Sequence, residues 1–209
     1  MKEEHKGLKE LYLQNIKWHN FPAGYDWHRW GLLYVLGDYV LTYVKGDILE
    51  IGCGESSILL SKLSKKFNRI CHHIEFSKSG VENMKSTKGY FGYNSLVYNC
   101  TSDVFFQMEK LHELKLAFSF IDGDHMYEQA VKDFLNVWKY TVDEGMIALH
   151  DTLPPNEKWT TENKCGTVYK LRRELEKWDE IDIFTFPHSA FEVGLSIVRK
   201  RGDRSWEKI

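Results

Sequence analysis

Short runs of consecutive apolar residues alternate with longer stretches in which apolar residues recur every three or four positions. The runs predict strands at 47–51, 70–75, 95–99, 116–121, 146–150, 182–186 and 194–199. The longer stretches predict helices between most of them. The clearest is 127–140, where Tyr127, Ala130, Val131, Phe134, Val137 and Trp138 follow the helical period. A second covers 166–178, with Val168, Leu171, Leu175 and Trp178 on one face. Strands alternating with helices predict a parallel sheet with crossover helices. Residues 1–45 read as a helical N-terminal region rich in aromatics: Trp18, Phe21, Tyr25, Trp27, Trp30 and Tyr34. Trp27 and Trp30 share a helix face, which suits core or dimer packing as well as a ligand pocket. Thr152 to Lys164 is polar and contains Pro154-Pro155; it reads as an active-site lid or as a surface loop.

Three strand ends carry chemistry. The first strand runs into Gly52-Cys53-Gly54 and then a helix near Ser56-Ser57. Glycine lets the backbone turn sharply and approach a ligand, and the helix start offers free N–H groups to an anion. Glu50, just before the turn, is placed to accept a hydrogen bond from a ligand ammonium. Glu75 ends the next strand, where an acid suits the two hydroxyls of a ribose; the alternative is a helix cap or a surface ion pair. The fourth strand ends in Asp122, Asp124 and His125, and the fifth in His150 and Asp151. Each polar residue that interrupts such an apolar run needs a partner. In an open α/β sheet these ends meet in one crevice, which points to an adenosine-type cofactor beside an acid/base or metal centre.

At 209 residues, with no repeat and only four prolines, the chain reads as one domain over 1–209: a helical extension at 1–45 and a core at 46–200. The net charge of −2 gives no general attraction to nucleic acid or membrane, and Arg199-Lys-Arg201 is a short solvated run. Cys53, Cys71, Cys100 and Cys165 form no Cys-x-x-Cys pair and fit a reducing compartment. The first residues lack the apolar run of a signal peptide, and no window is apolar enough to span a bilayer. A cytoplasmic location is therefore expected.

Glu50-x-Gly-x-Gly54 resembles the first motif of class I S-adenosylmethionine-dependent methyltransferases. Ile121-Asp-Gly-Asp-His-x-Tyr-Glu128, Asp133 and Gly145-Met-Ile-Ala-Leu-His-Asp-Thr152 resemble the small-molecule O-methyltransferase-like branch, of the methyltransferase family 24 type, over roughly residues 45–200. The resemblance implies a Rossmann-like α/β fold: a seven-stranded, mostly parallel sheet with helices on both faces, an antiparallel last strand and an N-terminal helical extension. It implies S-adenosylmethionine as cofactor, with Glu50, Gly52, Cys53 and Gly54 at the methionine end and Glu75 on the ribose. Ser102 and Asp103 would meet the adenine, or else cap a helix, and Asp122 would border the cofactor. In metal-dependent relatives an Asp follows the fourth strand and an Asp-Asn pair the fifth. Asp122, His150 and Asp151 correspond here, and the imidazole favours Mn²⁺, Fe²⁺ or Zn²⁺ over Mg²⁺. A metal-free site with His150 bonded to Asp122 stands beside that reading. His125 falls where those relatives carry a proposed lysine base; it reads as a base, with Asp122 and His150, or as a residue bonded to Asp151.

The activity so implied is methyl transfer to a small-molecule acceptor, at a hydroxyl oxygen, with a homo-oligomer left open. Nucleic acid is not expected as substrate: the chain has no Pro-Cys nucleophile and no Asn/Asp-Pro-Pro-Tyr/Phe tetrapeptide. Two other classes remain. An NAD-dependent oxidoreductase is weakened by Ser57, where its fingerprint has a third glycine. A catalytically silent nucleotide-cofactor-binding protein would keep the fold without turnover.

Overall fold

The apolar run Leu116–Ile121 forms β4, and every residue of it is buried. A strand covered on both faces belongs in the middle of a sheet. β4 accordingly lies between β1 (Asp47–Ile51) and β5 (Thr141–His150). The other strands are β2 (Cys71–Ile74), β3 (Ser95–Tyr98), β6 (Ile181–Phe186) and β7 (Leu195–Lys200). Their order across the seven-stranded sheet is β3-β2-β1-β4-β5-β7-β6. β7 runs antiparallel to both its neighbours, β5 and β6, while β1 to β5 pair in parallel. This is the Rossmann-like sheet expected, antiparallel last strand included. The structure is a computed structural model and describes residues 27–86, 94–108, 111, 113–187 and 193–202.

Helices cover both faces. On one, α1 (Trp27–Tyr43) and α2 (Ser56–Phe67) bury Leu33, Leu60 and Leu63 against Ile48, Phe118 and Phe120. On the other, α4 (Ser102–Phe105), α5 (Tyr127–Tyr140) and α6 (Val168–Leu175) bury Phe105, Phe134 and Leu171 against Leu49, Ile51 and Ile147. The remaining helix, α3 (Lys78–Ser86), follows β2. α5 has the boundaries read from its periodicity, because its apolar stripe is continuous and faces the sheet. Of the N-terminal region, α1 is described; Trp18, Phe21 and Tyr25 and the side chain of Trp27 lie outside the described residues.

Two elements differ from expectation. β5 starts at Thr141, not at 146: Leu116 pairs with Thr141, the register shifts, and pairing resumes at Phe118–Met146. The extra residues bulge through Glu144, at φ 65°, and Gly145. Polar Asp143-Glu144 breaks the apolar pattern there, while the backbone pairing does not depend on it. α6 begins at Val168 and ends at Leu175, shorter than 166–178. Gly166 is left-handed at φ 53°, and the Thr167 N–H bonds the His125 carbonyl at 2.8 Å instead of entering a helix. Among the described residues no helix is long and apolar enough to cross a membrane.

Candidate active site

The C-terminal ends of β1, β2 and β4 and the segment after β3 surround a cavity of about 620 Å³. Such crevices at the carboxyl ends of parallel strands are where open α/β sheets bind ligands. The floor is the turn Gly52-Cys53-Gly54. Gly52 has φ 81°, and a Cβ on it would fall 2.0 Å from the Asp122 carbonyl oxygen, so the backbone packing of β1 against β4 requires glycine. At Gly54 a Cβ would meet nothing within 4 Å; glycine there leaves the cavity open.

Glu75 lines the cavity and is fixed by two backbone donors. Cys53 N donates to its Oε2 at 2.9 Å and Ser77 N to its Oε1 at 2.6 Å. The carboxylate is thus braced across the ends of β1 and β2 with lone pairs remaining for hydroxyl donors. The Cys53 thiol is pushed far up by burial and by the nearby Glu50 and Glu75 carboxylates, so it is a neutral wall. Ser102 and Asp103 also line the cavity. The cap of α4 is Thr101, whose hydroxyl accepts from Val104 N at 3.2 Å, so neither Ser102 nor Asp103 is spent on capping. Ser102 donates to Asp133 at 2.5 Å, and Gln129 donates to Asp133 at 3.0 Å. Burial raises the Asp133 pKa, which those two hydrogen bonds lower in turn.

Glu50 is not where the sequence suggested. It is fully buried on the α2 side of β1, outside the cavity lining. Ser56 Oγ bonds its Oε1 at 2.6 Å and His73 Nδ1 bonds its Oε2 at 2.6 Å. His73 Nε2 continues to Ser61 at 3.1 Å. A carboxylate withdrawn from water requires such partners, and with both oxygens engaged it has no free edge for a ligand ammonium.

Beyond Asp122 lies an Asp/His cluster. His125 Nε2 is 3.1 Å from Asp151 Oδ2 and 3.8 Å from Asp122 Oδ1, while His150 Nδ1 is 3.1 Å from Asp122 Oδ1. In this cluster the ligand atoms of Asp122, His125 and Asp151 all lie within 4.8 Å of one another, as do those of Glu50, Cys53 and His73 across β1 and β2. His125 thus joins the expected group, and His150, buried against Trp30, keeps its Nδ1 within 3.1 Å of Asp122 Oδ1 and 3.6 Å of Asp151 Oδ1. Burial alone would raise the Asp122 pKa, but His150 and His125 hold it well below the usual carboxylate range. Asp151 goes the other way, raised by burial and by Asp122 against the pull of both histidines. Asp122 raises His125; burial opposes this, and Asp151 and the Lys164 carbonyl reinforce it. The Cys165 thiol beside Asp151 is pushed up to about 12, first by burial.

The 152–164 loop does not line the cavity. Its start is pinned instead: Ser196 Oγ bonds Thr152 Oγ1 at 2.8 Å, and Leu153 N bonds Val193 O at 2.8 Å. A short 3₁₀ turn, Glu157–Trp159, fills its middle. The cavity walls that sequence reasoning left unassigned are Glu55, Phe76 and Gln129. Asp133 was named only through the family resemblance, and nothing local marks the other three.

The match to known proteins is consistent with this geometry. Residues 49–152 match the family model described as a methyltransferase domain. No curated protein sequence matches. Among solved structures, the O-methyltransferase TomG from Streptomyces achromogenes, in complex with SAM, is 14% identical; the likeness covers 82% of this chain and 78% of that one, with a TM-score of 0.63. The O-methyltransferase from Bacillus cereus, in complex with SAH, is 16% identical over 92% of this chain and 90% of its own, with a TM-score of 0.61. The SAH-bound methyltransferase PaMTH1 from Podospora anserina is 17% identical over 97% of each chain, with a TM-score of 0.59. At these identities the structural likeness speaks for the fold.

Proposed function

The chain belongs to the class I methyltransferases, of the methyltransferase-domain family matched over residues 49–152, and from that premise we propose that it methylates a hydroxyl oxygen of a small molecule with S-adenosylmethionine. The observation that carries the cofactor reading is the charge of the cavity. Its described lining holds six carboxylates, from Glu55, Glu75, Asp103, Asp122, Asp124 and Asp133, and no Lys, Arg or His. A ligand with a sulfonium and an ammonium is drawn into such a site. The pyrophosphate of a dinucleotide is repelled, which disfavours an oxidoreductase.

When bound, the cofactor supplies a methyl group activated by a positive sulfur. Transfer breaks the sulfur–methyl bond, leaving a neutral thioether, and forms an oxygen–methyl bond, while the acceptor proton passes to water. The residues do the rest. Glu75 would hold the ribose hydroxyls, and the space at Gly54 would admit the methionine end. Ser102 and Asp103 would border the adenine. The acceptor hydroxyl would sit beyond Asp122, next to His125 and Asp151. As it stands, His125 faces two carboxylates and a carbonyl, which favours its protonated form. Its imidazolium therefore occupies a position suited to a cation. Asp122, His125 and Asp151 would hold a divalent ion of the Mn²⁺ kind, with the His125 imidazole neutral, and the ion would lower the acceptor pKa.

Calorimetric titration with S-adenosylhomocysteine, and with NAD⁺ as comparator, tests the cofactor. Saturable binding of the first alone is expected, and an acceptor screen should then lose turnover on chelation. Binding of NAD⁺ alone would overturn the reading.

A further inference from the structure

We propose that Glu55 is the carboxylate that receives the ammonium group of the cofactor's amino-acid arm, with Trp30 as its positioning residue. This rests on the cofactor reading above. The acid braced at the end of β2, Glu75, fixes the ribose end of a bound adenosine. The arm on the ribose must then run along the glycine turn toward the opposite end of the cavity. Gly54 leaves that path open.

An ammonium group in this space needs an acceptor, and a carboxylate is the strongest one. Glu50, the acid expected to serve, is buried with both oxygens bonded to Ser56 and His73. Glu75 is braced by the Cys53 and Ser77 N–H groups and gives its remaining lone pairs to the ribose hydroxyls in the reading above, and Asp124 accepts from Met126 N in its own turn. Asp122 is engaged by His150 and His125.

Glu55 remains. It directly follows Gly54, lines the cavity and is exposed. It makes no cap hydrogen bond to α2, although it occupies the cap position. Its carboxylate is held instead by the indole of Trp30, whose Nε1 donates to Oε2 at 3.2 Å, and Oε1 carries no hydrogen bond from the described residues. Trp30 is itself buried, edge-on to Phe120 and tilted over His150, so its N–H is a fixed donor. A rigid indole from α1 that aims an exposed glutamate is the arrangement a specificity contact needs, since an unheld surface side chain would lose rotamer freedom on binding.

The experiment compares by calorimetry two ligands with an uncharged sulfur: S-adenosylhomocysteine, and 5′-methylthioadenosine, which lacks the amino-acid arm. Glu55→Gln removes the charge and keeps an oxygen for Trp30. It should weaken S-adenosylhomocysteine by about 10- to 100-fold, the worth of a charge-assisted hydrogen bond, and leave methylthioadenosine within about twofold. Trp30→Phe, which keeps a ring but no N–H, should weaken the first ligand by a smaller factor and spare the second. Equal losses of both ligands, or none, in Glu55→Gln would overturn the assignment. An unchanged ratio in Trp30→Phe would remove Trp30 from it. If the parent protein binds neither ligand, the cofactor reading itself fails.

Discussion

A methyl group added at Gly52 would lie 2.0 Å from the Asp122 carbonyl oxygen, and one added at Gly54 would touch nothing within 4 Å. Two glycines of one motif therefore answer to different demands, one of the fold and one of the ligand. Gly52→Ala should cost about 2–5 kcal/mol in urea unfolding, through strain at positive φ and backbone overlap. Gly54→Ala should stay within about 1 kcal/mol of the parent. The same Gly54→Ala should bind S-adenosylhomocysteine at least about tenfold more weakly, because the new methyl enters the cavity. The motif itself was legible at this scale, as were Glu75, Asp122 and the His125 and Asp151 positions. The partners were not. Nothing in the sequence says that His73 takes Glu50 out of the cavity, because the two are joined only when β2 pairs beside β1.

Elements were legible where their apolar pattern is uninterrupted, as in β4 and α5, and blurred where packing overrides pattern, as in the bulged start of β5. The edge strand β6 shows a third case, in which charges help to join an element to the sheet. Asp182 on β6 accepts from Arg199 Nε on β7 at 2.9 Å and from Arg201 Nε at 2.8 Å. Some burial raises the Asp182 pKa, but the two guanidinium groups outweigh it and the net shift is downward. A carboxylate with a depressed folded pKa stabilises above its unfolded value, and that contribution is lost as pH falls through the folded one. Asp182→Asn should therefore be slightly less stable than the parent at pH 7, by under about 1 kcal/mol because the cluster is partly exposed. The deficit should shrink as pH falls below about 4, where the unfolded parent takes up the proton first and the folded carboxylate follows at its lower pKa. Urea midpoints of both proteins at pH 7 and pH 3 check this; a deficit that is equal at both would show that the pairs contribute nothing.

At the scale of the molecule, the net charge of −2 hides a concentration of carboxylates around one cavity. Its field should favour cationic ligands and be weakened by salt. Sinefungin, which carries an amine in place of the sulfonium, should lose more affinity than S-adenosylhomocysteine when salt rises from about 0.05 to about 0.5 M. Equal losses would mean that the carboxylates do not act on the sulfonium position. By itself the sequence determined the layer architecture, the order of strands and helices and the strand ends that carry chemistry, since these follow from local periodicity and from glycines and acids at fixed places along the chain. Only the tertiary structure decided which acids face the cavity. Adjacent residues of a strand point to opposite faces of a sheet, and burial forces each inward carboxylate to find a partner from another element. That choice withdrew Glu50 to His73, brought His125 as well as His150 to Asp122 and Asp151, and left Glu55 in the cavity beside Trp30.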